Sequence, residues 1–288
     1  MCYLLIGNIS ALISDDCTEP LVNAQLRVYL PDGRYPTKNR PKTDILSGPG
    51  QLTKAMVEAK RDRLLAETGL DESGNFKLTW EQLHLFTEPL ELDICLQHMP
   101  EQADRRGVET HYHLGTVVPN WARSGQRYVA AYAYIIPVEC WSQIRAIYGT
   151  WIIAGTVKRL KSREGQAQLR IEAYNAGNHR LLGCARTDEN GRYQLRFSKR
   201  ELTSRLILVG EPHQQKGPDI YFKVYRDKQL LWEEDAQTGM MPGRKSVPSC
   251  CTININIRDT VLRKASGYVP GWLNNWAVTR RKSSLVNH

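Results

Sequence analysis

The sequence contains no uninterrupted apolar run of the roughly 18 residues that a membrane-spanning helix needs. It also lacks a P-loop, a G-x-S-x-G nucleophile elbow and a G-x-G-x-x-G turn ahead of a helix. Its first residues are apolar but have neither a basic region nor a cleavage site of small residues, which favours a first strand over a signal peptide. We therefore expect synthesis in the cytoplasm without a signal peptide and no membrane span, with export as part of an assembly as an open alternative.

Cysteine pairs at metal-binding or redox spacing are also missing, because the sequence has no C-x-x-C. The seven cysteines are an odd number and lie far apart, whereas a disulfide framework uses an even set at closer spacing. We expect reduced thiols, although disulfides could form after export, and we predict no cofactor. The seven positions are Cys2, Cys17, Cys95, Cys140, Cys184, Cys250 and Cys251.

The positive charge of the chain is concentrated in two segments. The formal net charge is +9, and residues 33–63 and 258–288 each contribute +5, which leaves about −1 for the rest. A basic segment is most often a solvated surface, and the alternative is recruitment of an acidic partner or polyanion. The body of the fold itself carries almost no excess charge.

A repeat organises the sequence. Residues 63–78 align with residues 180–195 without a gap, and seven of the sixteen positions are identical. Upstream, AQLRVY at residues 24–29 resembles AQLRIE at residues 167–172. The two offsets, 117 and 143 residues, predict a 26-residue insertion in the first copy, within the basic segment 33–63.

Each copy shows the same order of secondary-structure signals. An Asp-Glu-x-Gly turn lies between two β-prone runs, at residues 71–74 and 188–191, and predicts a β-hairpin in each copy. TWEQ (79–82) and SKRE (198–201) fit the capping box of a short helix. Alternating or β-rich runs predict the other strands, at residues 3–14, 90–96 and 127–137 in the first copy and 150–160, 218–225 and 251–257 in the second.

These signals predict an all-β protein with two tandem antiparallel Greek-key β-sandwiches, because many short strands at regular spacing are typical of that architecture. The predicted domains are residues 1–145, with a partly helical insertion at about 33–63, and residues 146–258. An irregular, basic and aromatic C-terminal tail follows at residues 259–288.

The second copy resembles the transthyretin-like and carboxypeptidase regulatory-like (prealbumin-like) domains. The resemblance implies a β-sandwich that acts as an accessory, protein-binding module, which is specific for fold and weak for function. The first copy matches less well, since Leu70 stands where Thr187 does. The C-terminal Tyr-Arg-Gly-Ser of the hydroxyisourate hydrolases of that superfamily is replaced by Val-Asn-His after Leu285, so we do not expect that activity. The matching positions are Gly155, Thr156, Val157, Thr187, Asp188, Gly191, Tyr193 and 219–225.

His111 and His113 form the sharpest local motif, THYHLG. On a strand, residues two apart share a face and could bind one metal ion. The pair resembles the His-x-His of intradiol dioxygenases, which adds two tyrosine ligands to non-haem iron. Those tyrosines lie upstream in that family, yet no tyrosine lies between Tyr35 and Tyr112 here. We therefore favour two surface-facing histidines and no metal, and keep the iron enzyme as the alternative.

The tail and the insertion are the predicted partner-binding segments. Tryptophan and arginine dominate binding hot spots, and both segments depart from the internal repeat. The tail could equally dock on its own second domain. The predicted contact residues are Tyr268, Trp272, Trp276, Arg280, Arg281 and Lys282 in the tail, and Lys38, Arg40 and Lys42 in the insertion.

The sequence as a whole favours a non-enzymatic structural or adaptor protein that binds a protein partner. A bacterial secretion, contractile injection or toxin-delivery assembly is the favoured setting. The intradiol-like iron enzyme is second, and polyanion or nucleic-acid binding through the basic segments is third, because RNP, KH and helix-turn-helix signals are missing. Nothing in the sequence indicates a particular oligomeric state.

Overall fold

A computed structural model of the chain describes residues 1–31, 48–81, 88–102, 109–202 and 217–258. Strands dominate it, which confirms the predicted all-β sandwich class. None of the helices in these ranges is long and apolar enough to cross a membrane.

The described residues of the first half form ten strands, one short α-helix and a 3-10 helix at Arg61–Arg63. One sheet places β1 between β10 and the successive strands β6 and β2, with β9 beyond β10, and the facing sheet has the order β4-β8-β7-β3-β5. The helix α1 (Lys54–Ala59) lies in the predicted insertion, between β4 and β5. The strands are β1 (Cys2–Ser14), β2 (Cys17–Pro20), β3 (Ala24–Tyr29), β4 (Gly50–Leu52), β5 (Leu64–Gly69), β6 (Asn75–Glu81), β7 (Leu90–Leu96), β8 (Thr110–Val117), β9 (Ala122–Ser124) and β10 (Arg127–Ile136).

The second half repeats this arrangement. One sheet places β11 between β14 and the successive strands β17 and β18, and the other has the order β13-β12-β15-β16. The helix α2 (Val138–Ile147) links the halves, and α3 (Lys199–Leu202) follows β14. The strands are β11 (Thr150–Arg159), β12 (Arg170–Asn175), β13 (Leu181–Arg186), β14 (Arg192–Ser198), β15 (Ile220–Arg226), β16 (Gln229–Glu233), β17 (Cys250–Thr252) and β18 (Ile255–Ile257).

One hydrophobic cluster fills each sandwich, and the first cluster also includes Ile152, Ala154 and Cys250 from the second half. In β6 and β14 every second residue points into the core, as the alternating sequence predicts. Removing each such side chain from water contributes about 1.5–3 kcal/mol. The aligned core residues are Phe76, Leu78 and Trp80 in the first copy and Tyr193, Leu195 and Phe197 in the second.

The predicted hairpins are instead arches between facing sheets, so this part of the prediction is wrong. β5 pairs with β3 and β6 pairs with β1, and in the second copy β13 pairs with β12 and β14 with β11. Alternation cannot distinguish the two arrangements, because a hairpin and an arch both bury one face of each strand. The arch wraps each sandwich around its core.

The two turns themselves are closely alike. The Oδ1 atoms of Asp71 and Asp188 each accept hydrogen bonds from the backbone N–H groups two and four residues later in the chain, and all four distances are 2.8 Å. Gly74 and Gly191 have φ of +75° and +76°, in the left-handed region that favours glycine. A Cβ on Gly74 would lie 2.3 Å from the carbonyl oxygen of Ile9. These acids therefore stabilise turns, as expected from their neighbours.

The AQLR match is out of register by two residues. In the first copy, Gln25 pairs with Gly69. Gly69 aligns with Arg186 of the second copy, and Arg186 pairs with Arg170. The AQLR match would have required Gln168 at that position. The offset between the two strands is therefore 145 residues and not 143. Because side chains alternate with a period of two, the erroneous alignment still places the same face toward the core.

One of the two helix signals is wrong and the other is confirmed. Thr79 to Glu81 continue β6, because Trp80 packs on Tyr3 in the core, at 5.9 Å between ring centroids. At Ser198, by contrast, the backbone amide and the hydroxyl donate to the Glu201 carboxylate at 2.8 and 2.6 Å, directly before α3.

The closing strands add a feature that was not expected from the sequence. β10 runs parallel to β1, and β17 and β18 run parallel to β11, whereas the other pairings are antiparallel. The order of strands cannot be read locally, since it depends on which edges are left free after the other strands pair. The domain limits at 1–145 and 146–258 stay a prediction. The tail, residues 259–288, lies outside the described residues.

Candidate functional site

The predicted partner-binding residues cannot be placed, because both groups lie outside the described part of the chain. They stay predictions. The nine residues concerned are Tyr268, Trp272, Trp276, Arg280, Arg281, Lys282, Lys38, Arg40 and Lys42.

The two histidines of β8 share one face, as their spacing predicts. They alternate with Tyr112 and Leu114, which are buried in the core, so both rings lie on the outer face of the sheet. They are nevertheless drawn to different partners. The ring Nδ1 of His113 lies 2.7 Å from Oδ1 of Asp93, on the neighbouring strand β7.

Two buried acids occupy the outer face of β7. Glu91 and Asp93 are 6% and 3% exposed, although they point away from the hydrophobic core. Lys60, which follows α1, places its Nζ 2.9 and 2.8 Å from the two Asp93 oxygens and 3.3 Å from Glu91. Arg63 lies 3.6 Å from Glu91. The insertion therefore covers this face and neutralises the charges beneath it.

A third group of polar side chains adjoins these pairs. Cys95 and His111 are cross-strand neighbours, and Glu109 immediately precedes β8. The thiol sulfur, the Glu109 carboxylate and the His111 ring each offer one atom within 4.8 Å of the others. Burial is the main cause that raises the pKa of Cys95 to about 11, and burial also lowers the pKa of His111. The ring is therefore held neutral and the thiol protonated near pH 7.

This group contains the donor types that a metal ion prefers. The sequence favours no metal and keeps His111 together with His113 as the alternative, whereas the structure brings His111 to Cys95 and Glu109. Cys95 could have been suspected from its position in LELDICL, where polar residues at every second position mark one face of the strand. The pairing of β7 with β8, which brings the three side chains together, has no local signal.

A buried charge cluster joins the two sandwiches. Arg145 on α2 is fully buried, and its Nη2 lies 2.9 Å from Glu101, while its Nε lies 3.4 Å from Glu19. Arg196 on β14 approaches the same two acids, at 3.1 Å from Glu19 and 3.5 Å from Glu101. Trp141 also donates its indole N–H to Glu19. At the junction, ion pairs therefore lie beside apolar side chains such as Trp141, Ile144 and Ile152.

A cleft of about 460 Å³ opens beside this junction. Asp16 and Cys17 line it from the first sandwich, and Lys158, Arg186 and Asn254 line it from the second. Cations and acids are mixed along its walls, and none of its lining residues is a histidine. The cleft therefore offers no thiol or hydroxyl beside an imidazole base.

Comparison with known proteins gives weak likenesses. No protein-family model and no curated protein matches the chain. Among solved structures, the shaft pilin SpaA of Lactobacillus rhamnosus GG is similar over 90% of this chain and 98% of its own, at 7% identity and a TM-score of 0.29. Chlorocatechol 1,2-dioxygenase of Pseudomonas putida is similar over 38% of this chain and 60% of its own, at 16% identity and a TM-score of 0.23.

A 9R-lipoxygenase from Cyanothece PCC8801 is also similar, over 49% of this chain and 17% of its own, at 14% identity and a TM-score of 0.25. Likenesses at these TM-scores carry no argument about function.

Proposed function

We propose that the chain is a non-enzymatic structural or adaptor protein, in which two β-sandwiches form one rigid unit that binds a protein partner. The observation that carries this proposal is the buried charge cluster between the sandwiches. Arg145, Glu19 and Glu101 belong to the first half and its linker helix, and Arg196 belongs to the second.

The cluster resists bending at the junction for an electrostatic reason. Opening it would separate Arg196 from Glu19 and Glu101, two acids that are only 6–7% exposed and would then keep Arg145 as their only cation in the cluster. A hydrogen bond also crosses the junction, because the backbone amide of Cys250 on β17 donates to the hydroxyl of Ser142 on α2 at 3.2 Å. A fixed geometry of this kind suits a protein that positions other proteins.

The finer part of the proposal concerns the partner and the setting. The transthyretin-like resemblance supports an accessory, protein-binding module, with contacts made by the basic insertion and the aromatic tail. A bacterial secretion, contractile injection or toxin-delivery assembly, which the protein would join after synthesis in the cytoplasm, is the setting we propose. The insertion and the tail, which depart from the repeat, are the natural places for such contacts.

The iron-enzyme alternative receives less support from the site. An intradiol-like centre needs His111 and His113 on one metal ion, but the Nδ1 of His113 is bonded to Asp93, which Lys60 also binds. Moving that ring would leave a buried carboxylate short of one partner. Polyanion binding rests only on the basic segments and stays a third prediction.

Small-angle X-ray scattering tests the rigid unit. We expect the full-length protein to scatter with one fixed separation between its two sandwiches, and Arg196→Met to broaden that distribution. Arg192→Met, which changes an exposed arginine near the other end of β14, is the matched control and should scatter like the wild type. A wild-type profile that requires freely reorienting sandwiches would overturn the proposal.

A further inference from the structure

We propose that Cys95, Glu109 and His111 bind a divalent cation of the zinc class on the outer face of the first sandwich. This site is independent of the proposed adaptor function and does not use His113. It would be held by β7, by β8 and by the residue that precedes β8.

The strand register supplies the geometry. Cys95 and His111 lie directly opposite each other on antiparallel strands, so their side chains leave the sheet on the same face. Glu109 lies two residues before His111 and its carboxylate completes a triangle with sides of at most 4.8 Å. Zinc bonds of about 2.0–2.3 Å place tetrahedral ligand atoms about 3.5 Å apart. Side-chain rotations that move each ligand atom by about 1 Å would therefore bring the three atoms into coordination.

The charges around the site permit a cation. On binding, the Cys95 thiol would release its proton to solvent, and the resulting thiolate and the Glu109 carboxylate together carry two negative charges, which a divalent ion neutralises. Among the described residues, Arg27 on β3 acts electrostatically on both Cys95 and His111, and its Nε already binds the Glu67 carboxylate at 3.0 Å. Asp93, on the same face, is bound by Lys60 and His113. The acids and bases beside the three ligands are thus paired with each other.

The donor set selects the class of metal. A thiolate favours zinc, or cobalt as its spectroscopic substitute, over magnesium and calcium, which prefer oxygen ligands. An imidazole and a carboxylate complete three protein ligands. Such a set leaves a fourth position for water or a partner's side chain, and Glu109 is exposed, so that position faces solvent.

Cobalt titration of the reduced, chelator-treated full-length protein tests the site. We expect one equivalent of Co²⁺ to produce a thiolate charge-transfer band, and Zn²⁺ to abolish it by competition. Cys95→Ser should remove the band, and Glu109→Gln and His111→Ala should each weaken binding at least tenfold. Cys184→Ser, which changes an exposed free thiol elsewhere, is the matched control and should retain the band.

A second readout separates binding from folding. Zn²⁺ should raise the melting temperature of the wild type and of Cys184→Ser, because a ligand of the folded state stabilises it, but not that of Cys95→Ser. Absence of a band in the wild type, or a band that persists in Cys95→Ser, overturns the proposal. If Cys95→Ser does not fold, Glu109→Gln decides, since an unchanged affinity in this exposed-site variant would also overturn it.

Discussion

The ammonium group of Lys60 lies 2.8 and 2.9 Å from the two carboxylate oxygens of Asp93. A residue of the insertion therefore neutralises a carboxylate that is buried on the outer face of the sheet. The insertion is therefore part of the folded structure at this point. Its basic charge, which the sequence presents as a surface property, is used in part to neutralise β7.

We expect Lys60→Met to lower the free energy of unfolding by about 3 kcal/mol, because it leaves Asp93 buried without its cation. Urea denaturation at pH 7 measures the change. Lys54→Met, on the exposed surface of α1, should change stability by less than about 0.5 kcal/mol. Equal effects of the two substitutions would contradict the structural role of Lys60.

Glycine at the arch turns is expected to be required for two reasons, positive φ and lack of space. Gly74→Ala and Gly191→Ala should each lower the free energy of unfolding by more than about 1–2 kcal/mol, which is the contribution of the left-handed conformation alone.

Two other glycines serve as controls. Gly125 also has positive φ but open space around it, so Gly125→Ala should report the conformational contribution alone. Gly69 has neither constraint, and Gly69→Ala should be almost neutral. If Gly74→Ala is no worse than Gly125→Ala, the close approach of Ile9 has no energetic consequence.

Asp71 should make stability depend on pH in the acid range. Hydrogen bonds from the backbone amide of Asn75 are the main cause that lowers the pKa of this exposed carboxyl group. A lowered folded-state pKa gives stability that is present above the unfolded value of about 3.9 and is lost as the pH falls through the folded value. Asp71→Ala should therefore lower the urea midpoint at pH 7 more than at pH 2, and equal losses at the two pH values would contradict this role of Asp71.

The tail is expected to bind a partner without being needed for folding. Truncation after Thr260, or Trp272→Ala combined with Trp276→Ala, should leave the melting temperature unchanged and abolish co-purification of the partner. A much lower melting temperature after truncation would indicate that the tail is part of the second sandwich. If the truncated protein keeps both its melting temperature and its partner, the contact surface would instead be the insertion around Lys38, Arg40 and Lys42.

Local chemistry in the sequence determined much of this fold. Asp71 and Gly74, like Asp188 and Gly191, form their turns through contacts within five residues, so their spacing alone predicts the turn. Alternation similarly predicted which face of β6 and β14 is buried, because a strand has a fixed period of two. The all-β class follows from these repeated local signals.

Only the tertiary structure decided how the strands are joined and which side chains meet. A turn that looks like a hairpin became an arch, TWEQ became strand because Trp80 packs on Tyr3, and the AQLR strands settled two residues from their apparent alignment. His111 was drawn to Cys95 and not kept with His113. Each of these outcomes depends on pairing and burial between residues distant in sequence, whose energies outweigh local preference and are not written in any single segment.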